Sequence, residues 1–307
     1  MAKFRILITG SSGYLGSHIA EELIKEGHNC RLYDKSKSSF FNNSVEQVVG
    51  DLLDKKNILK ALTNIDYVFH FAGEADIENA NLKPLETINS NIVGTSNLLD
   101  CCVKKKIKRI IFASTIYVYS EQGGFYRSSK QSCELIIENY NKINGLGFTI
   151  LRFGSIYGGR ANKFNFIYKS VLSALTTGSI KREGFGDEIR DYINIKDASK
   201  ICAKLLHKKY NKKYLMITGN KSIKIKELLK MISEIFGNKI KVKYNKKINN
   251  EHYAISPYSF RPRLAEKVMI ESEIELGQGI YDHILDVYDV INRSNPKNIK
   301  ANVLKKN

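Results

Sequence analysis

The chain has 307 residues, 43% hydrophobic and 26% charged, with 21 Gly and 4 Pro. That composition excludes a disordered chain, a collagen-like chain and a coiled-coil rod, and the length favours two domains of roughly 150 residues each. The net charge of +18 arises from 38 Lys and 11 Arg against 31 acidic residues, and Lys204 to Lys247 alone carries +12 of it. Scarce arginine argues against a nucleic-acid partner and for a solvated lysine face with a general preference for anionic ligands. No apolar run reaches the ~18 residues of a membrane span. Phe4 to Thr9 is already strand-like and has no basic leader before it, so no membrane contact and a cytoplasmic location are expected. Cys30, Cys101, Cys102, Cys133 and Cys202 form no CxxC pair and have no His at ligand spacing, which predicts free thiols and no metal site.

Strand and helix signals alternate through the first half. Lys3–Thr9 reads as a strand, Gly16–Gly27 as a helix, and Asn29–Tyr33 and Val45–Val49 as two more strands. Ile58–Thr63 fits a helix, Tyr67–Phe71 a strand, Leu85–Val103 a long helix and Arg109–Ala113 a strand. Cys133–Asn144 is again helical, and Thr149–Phe153 is the sixth strand. This order predicts an α/β fold with a doubly wound parallel sheet. From Ile156 the pattern loosens into Gly-rich loops with helices near Asp197–His207 and Lys226–Phe236. Tyr214–Thr218 reads as a strand returning to the main sheet. The expected division is a first domain over 1–155, with segments near 188–218 returning to it, and a smaller α/β domain over 156–293. A frayed tail over 294–307 follows, holding four Lys and no acid.

Directly after the first strand stands Thr9-Gly10-Ser11-Ser12-Gly13-Tyr14-Leu15-Gly16. Glycines there allow a tight turn and close approach to a pyrophosphate, and the helix beyond offers N–H donors and a positive dipole end. Asp34 ends the second strand 18 residues after Gly16. A carboxylate there accepts from an adenosine ribose and repels a 2′-phosphate, so NAD is preferred to NADP; Lys35 and Lys37 pull the other way. Asp51, in Gly50-Asp51-Leu52, reads equally as an adenine contact or an ordinary loop Asp. Tyr-x-x-x-Lys occurs at Tyr33/Lys37, Tyr126/Lys130 and Tyr192/Lys196, but only the second opens a predicted helix after a strand ending in Ser114-Thr115. A Lys beside a Tyr stabilises the phenolate and draws its pKa down from ~10, which makes a usable base.

These stretches resemble the extended short-chain dehydrogenase/reductases, in particular the NAD-dependent nucleotide-sugar epimerases and dehydratases, and among them the UDP-hexose 4-epimerases. His70-Phe71-Ala72-Gly73, Asn91-Ile92-Val93-Gly94-Thr95, Arg152-Phe153-Gly154-Ser155-Ile156-Tyr157-Gly158 and Arg190-Asp191-Tyr192-Ile193-Asn194 complete the likeness, in family order. The resemblance implies a Rossmann-type sheet with a smaller substrate domain, NAD as cofactor, a UDP-sugar as substrate and a homodimer. It implies that Gly10, Gly13, Tyr14, Leu15 and Gly16 hold the pyrophosphate, Asp34 the ribose, and Asp51 and Leu52 the adenine. Phe71, Ala72, Gly73 and Asn91 line the cofactor path, Thr115 binds the sugar hydroxyl, Tyr126 is the base, and Lys130 also holds the nicotinamide ribose. Ser155 and Arg190 contact the substrate, and Arg261 or Arg263 supplies a second diphosphate clamp or is an exposed loop arginine.

Four departures matter. Ile116-Tyr117 stand where sugar 4,6-dehydratases place an Asp-Glu pair, which disfavours dehydration. Ser155 replaces an Asn, Tyr119 to Tyr126 is far shorter than in relatives, and Glu74 and Asp76 occupy the place of a sugar-facing Lys. The expected activity is C4 epimerisation of a UDP-sugar through a 4-keto intermediate. A 4-keto-sugar reductase using NADPH, a catalytically impaired nucleotide-binding regulator and an RNA-associated protein are the alternatives. For the dimer, an apolar stripe of Ile92, Leu98, Leu99 and Cys102 is the expected interface or, equally, monomer core.

Overall fold

A computed structural model describes residues 3–220 and 222–245. Strand β1 (Arg5–Thr9) enters a glycine turn and helix α1 (Tyr14–Lys25), followed by β2 (Asn29–Asp34) and β3 (Glu46–Val49). Helix α2 (Lys55–Ala61) starts ahead of the expected Ile58 because the Asp54 carboxylate caps it, accepting from the N–H groups of Lys56 and Asn57. Strand β4 (Tyr67–His70) leads into a loop and α3 (Ile77–Leu82), which Asp76 caps in the same way. The single helix expected over 85–103 is three pieces: α4 (Pro84–Thr87), a π-turn over Ile88–Val93, and α5 (Gly94–Lys104). Strand β5 (Arg109–Thr115) extends two residues past the expected end, through Ser114 and Thr115, into a 3₁₀ turn over Ile116–Tyr119. Helix α6 (Gly124–Asn144) takes in Tyr126 and Lys130, and β6 (Gly147–Phe153) follows.

The second half holds more structure than its sequence announced. It contains β7 (Ser155–Tyr157), α7 (Phe166–Thr177), β8 (Ser179–Glu183), β9 (Ile189–Asn194) and α8 (Ile195–Ala203). Then come β10 (Lys213–Ile217), β11 (Ser222–Lys224), α9 (Ile225–Ile235) and β12 (Lys241–Asn245). Strands of three to six residues carry too few periods to stand out from their loops.

Seven strands form one sheet in the order β10-β6-β5-β4-β1-β2-β3. Every neighbouring pair is parallel, including Lys213 to Ile217 against Thr149 to Phe153. The order reverses between β1 and β4, so a crevice opens outside their carboxyl ends, where ligands bind in such sheets. Both faces are covered. One core gathers Ile19, Leu23, Ala198 and Cys202 from α1 and α8, the other Leu98, Leu99, Cys102 and Ile137 from α5 and α6. Leu98, Leu99 and Cys102 are completely buried there, so the stripe read as a possible dimer face packs on the chain's own sheet. A third, smaller core joins Ala174, Ile180, Leu229 and Ile232, while β7, β9 and β11 form a three-stranded sheet and β8 pairs with β12.

One buried polar bridge ties the sheet to its helices. The His70 ring nitrogens lie 2.7 Å from Thr9 Oγ1 and 2.9 Å from Thr95 Oγ1, joining β4 to β1 and α5. Complete burial, aided by the Lys130 ammonium, holds the imidazole down to a pKa of about 3 from 6.5. The unfolded chain therefore binds a proton below about pH 6.5 that the folded chain refuses until about pH 3. Stability is full above that range and falls as the pH drops through it. From pH 7 to pH 5 this one group should cost roughly 2 kcal/mol. Urea midpoints at the two pH values should show a smaller acid loss in His70→Asn than in the parent; an equal loss would show that the acid sensitivity lies elsewhere.

Candidate active site

The turn after β1 is built from backbones that touch. A Cβ on Gly10, whose φ is +71°, would lie 2.5 Å from Ala72 N, and one on Gly16 would lie 2.1 Å from Gly10 O. Neither position admits a side chain, so the turn packs against the β4 end and α1 starts directly beneath it. Gly13 is the N-cap of α1 and supplies no side-chain cap, which leaves the N–H groups of the first turn, Tyr14 to Gly16, pointing out of the helix end. The Tyr14 hydroxyl beside them is buried without a partner among the described residues. A row of backbone donors on a positive helix end is suited to a pyrophosphate.

Two cavities meet at this turn, with Gly10, Gly13, Phe71, Gly73 and Glu74 on the walls of both. The smaller, about 700 Å³, is bounded by Asp34, Asp51, Leu52 and Ala72. Asp34 Oδ2 accepts from Ser12 N–H at 2.9 Å and Oδ1 from Lys35 N–H at 2.7 Å, so the carboxylate is pinned at the end of β2 with lone pairs to spare. The Lys35 ammonium is drawn to Asp51, 3.2 Å away. Burial alone would raise the Asp51 carboxyl, but the Leu53 N–H and Lys35 hold it below the ordinary range. A pinned carboxylate at the ribose position, with its neighbouring lysine engaged elsewhere, fits NAD.

The larger cavity, about 820 Å³, is lined by Tyr14, Leu15, Gly16, Thr115, Tyr126, Lys130, Ser155 and Arg190 among others. Lys130 is buried and donates to the Ala113 carbonyl at 2.9 Å; its ammonium lies 4.9 Å from the Phe112 ring centre and 5.9 Å from that of Tyr126. Desolvation pushes its pKa down, partly opposed by Cys133 and Glu134. Thr115 is 5% exposed, and its Oγ1 accepts the Tyr117 N–H at 3.2 Å, which starts the 3₁₀ turn. Tyr117 stands edge-on to Tyr126, ring centres 6.4 Å apart. Arg190 is 7% exposed on β9 and donates to the Ile189 carbonyl at 2.9 Å.

Asn91, expected on the cofactor path, is engaged by protein partners directly behind Gly73 and Glu74. It is 2% exposed and lies behind the cavity walls, where Oδ1 accepts the Glu74 N–H at 2.6 Å and Nδ2 donates to Glu74 O and Ser129 Oγ at 3.0 and 2.9 Å. Asn91 lies within the π-turn, and its carbonyl accepts the Gly94 N–H and the Cys133 thiol, the latter at 3.2 Å. Arg261 and Arg263 lie outside the described residues, as do the tail 294–307 and the part of the expected second domain beyond 245.

Other residues at the site had no role in the sequence reading. Glu134 Oε1 accepts from Ser114 Oγ at 2.5 Å and Arg152 Nε at 3.1 Å, while Oε2 pairs with Arg152 at 2.6 Å. Arg152 also donates to the Tyr119 hydroxyl. This buried group fastens α6 to β5 and β6 directly under Thr115. Its one signal was a Glu four residues after Lys130 and an Arg within an apolar strand, both costly inside unless paired. Lys169, Lys181, Arg182 and the carboxylate of Glu183 line the same cavity as Arg190.

The model of the family described as "NAD dependent epimerase/dehydratase" matches residues 6–217. The chain belongs to that family. Membership makes it an enzyme of an NAD-dependent kind, and the glycine turn and pinned Asp34 fit that cofactor. The chain is 29% identical to a UDP-N-acetyl-α-D-glucosaminuronate decarboxylase from Bacillus cytotoxicus, over 78% of this chain and 83% of that one. It is 28% identical to a Methanocaldococcus jannaschii protein provisionally named UDP-glucose 4-epimerase, over 90% and 95%. The structure matches a UDP-N-acetylglucosamine 4-epimerase from Methanobrevibacter ruminantium in complex with UDP-N-acetylmuramic acid. That match has a TM-score of 0.75 at 27% identity and covers 85% of this chain and 90% of that one. Family members thus share this sheet while differing in the reaction for which they are named.

Asn91→Ala removes four hydrogen bonds and leaves the half-buried Glu74 N–H and carbonyl without these partners, each costing up to about 1–3 kcal/mol. Urea unfolding should show a loss of that order. Unchanged stability would mean the Glu74 loop is held by something else.

Proposed function

We propose that the protein is an NAD-dependent C4 epimerase of UDP-sugars that works through a transient 4-keto sugar. The observation that carries this reading is the meeting of Thr115, Tyr126 and Lys130 on one cavity wall, with Tyr117 rather than a carboxylate following Thr115. Bound NAD supplies the hydride acceptor and donor. Thr115 orients the C4 hydroxyl, and the Tyr126 oxygen takes its proton as the C4–H bond breaks and later returns it to the alkoxide that forms. The Lys130 ammonium favours negative charge on that oxygen. Arg190, with Lys169, Lys181 and Arg182 along the same wall, holds the diphosphate while the sugar turns to present its other face. Asp34 grips the adenosine ribose and the α1 end the pyrophosphate, which suits a cycle in which the cofactor never needs to leave.

Purified protein should carry NAD, not NADP, released on denaturation. UDP-hexoses or UDP-N-acetylhexosamines should give the C4 epimer without added cofactor, and Tyr126→Phe should turn over at least about 10²-fold more slowly while still binding substrate. Steady NADPH consumption with a 4-keto sugar, and no interconversion of any 4-hydroxy sugar, would establish the reductase instead.

We also propose a homodimer. Leu82, Leu85, Leu135 and Ile143, on or beside α3, α4 and α6, are 61–81% exposed, and an apolar surface of this kind marks an interface. Light scattering at micromolar concentration should give twice the 34.9 kDa chain mass; a single-chain mass would refute the dimer.

A further inference from the structure

Tyr126 reaches the site on a helix with almost no lead-in. The 3₁₀ turn over Ile116–Tyr119 follows β5, and only Ser120 to Gly123 separate it from Gly124, the first residue of α6. Tyr126 therefore lies in the first turn of that helix, where intrahelical bonds are fewest and fraying starts. Gly123 is the N-cap and makes no side-chain cap, so the hold on this turn comes from other elements.

From α3, Asn81 Oδ1 accepts the Phe125 N–H at 3.1 Å, the bond that an N-cap side chain would otherwise make. Arg127 donates to the Ser120 carbonyl at 2.8 Å and Gln131 to the Val118 carbonyl at 3.0 Å, so the short connection is folded back onto α6. The Tyr117 ring then fills the angle between that connection and Tyr126. Its backbone is fixed on both sides: its N–H bonds Thr115 Oγ1 at 3.2 Å, and its carbonyl accepts the Ser120 N–H at 2.9 Å. The ring lies against Gly123, where a Cβ would fall 2.8 Å from Tyr117 Cδ1 and 3.2 Å from Cγ. Gly123 is buried and has φ +94°, so glycine alone suits both the backbone and the ring. The same ring meets Tyr126 edge to face, with centres 6.4 Å apart and planes at 76°.

Tyr126 is half-buried on the cavity wall, so the packing on its inner side decides which rotamer it keeps. We propose that Tyr117 is a positioning residue whose ring, wedged between Gly123 and Tyr126, holds the Tyr126 phenol in one orientation for proton transfer. This rests on the reading of Tyr126 as the base and adds what aims it. A reacting group displaced by about 1 Å loses on the order of 10²-fold in rate, so a ring contact that restrains a phenol has a catalytic consequence without touching the sugar.

The test compares Tyr117→Ala, Tyr117→Phe and Gly123→Ala with the parent, each loaded with NAD. Amide hydrogen exchange over 124–130 reads the order of the helix start independently of any reaction. Exchange there should be faster in Tyr117→Ala and in Gly123→Ala, whose added methyl displaces the ring, and close to parental in Tyr117→Phe. In epimerisation of UDP-glucose or UDP-N-acetylglucosamine, kcat should fall about 10- to 100-fold in the first two variants while KM changes less than about threefold. Tyr117→Phe keeps the ring and should recover most of that loss. Should Tyr117→Ala not fold, Tyr117→Leu takes its place in both measurements. Unchanged exchange in Tyr117→Ala would overturn the assignment, and so would Tyr117→Phe as impaired as Tyr117→Ala. A raised KM at unchanged kcat would make Tyr117 a substrate contact and overturn it too. If exchange responds as expected but the parent forms no C4 epimer, the epimerase reading fails while the positioning of Tyr126 stands.

Discussion

Three backbone segments converge at the carboxyl end of β1 more closely than any side chain would allow. Gly10 lies against the Ala72 amide, and Gly16 lies against the Gly10 carbonyl. That approach sets the origin of the site. It aims the α1 end at the crevice, brings the Phe71–Glu74 loop alongside it, and makes the same turn a wall of both cavities. Every other group is positioned relative to this corner: Asp34 one strand to one side, Thr115 two strands to the other.

Buried polar side chains then keep the corner from shifting. His70 ties β4 to β1 and α5, Asn91 ties the Glu74 loop to α6, and Glu134 with Arg152 ties α6 to β5 and β6. Each would destabilise the core if unpaired, and each is paired, so the groups act as pegs that accept one arrangement of neighbours. The consequence for chemistry is that Tyr126 and Lys130 sit on a helix held at Ser129 and at Glu134 along its inner face.

Charge follows a separate logic from the overall balance. The lysine surplus over 204–247 dominates the net +18, yet the cations that line the cleft, Lys130, Lys169, Lys181, Arg182 and Arg190, all come from ahead of that stretch. Three carboxylates, Glu74, Glu78 and Glu183, line the same cleft, so its local charge is set by the fold and not by the overall surplus.

Much of this was legible in the amino-acid sequence because it is local. A glycine turn between a strand and a helix, an Asp at the next strand end, and alternating strand and helix periods depend on near neighbours and announce themselves. The family resemblance and the parallel sheet follow from them, and so does the returning strand at 213–217. What sequence could not decide was which side of a helix faces inward and which distant groups meet. Of three Tyr-x-x-x-Lys pairs, Tyr33 proves to be core and Tyr126/Lys130 to be site. Leu98, Leu99 and Cys102 face their own sheet, and Asn91, within a π-turn that no propensity signals, is buried between the Glu74 loop and Ser129. Glu134 finds Arg152 across two strands, and Glu74 and Glu78 come to share a wall with Tyr126. Periodicity along a chain is set by backbone geometry between neighbours, whereas these pairings are set by packing between elements far apart in sequence, and only the folded chain brings those together.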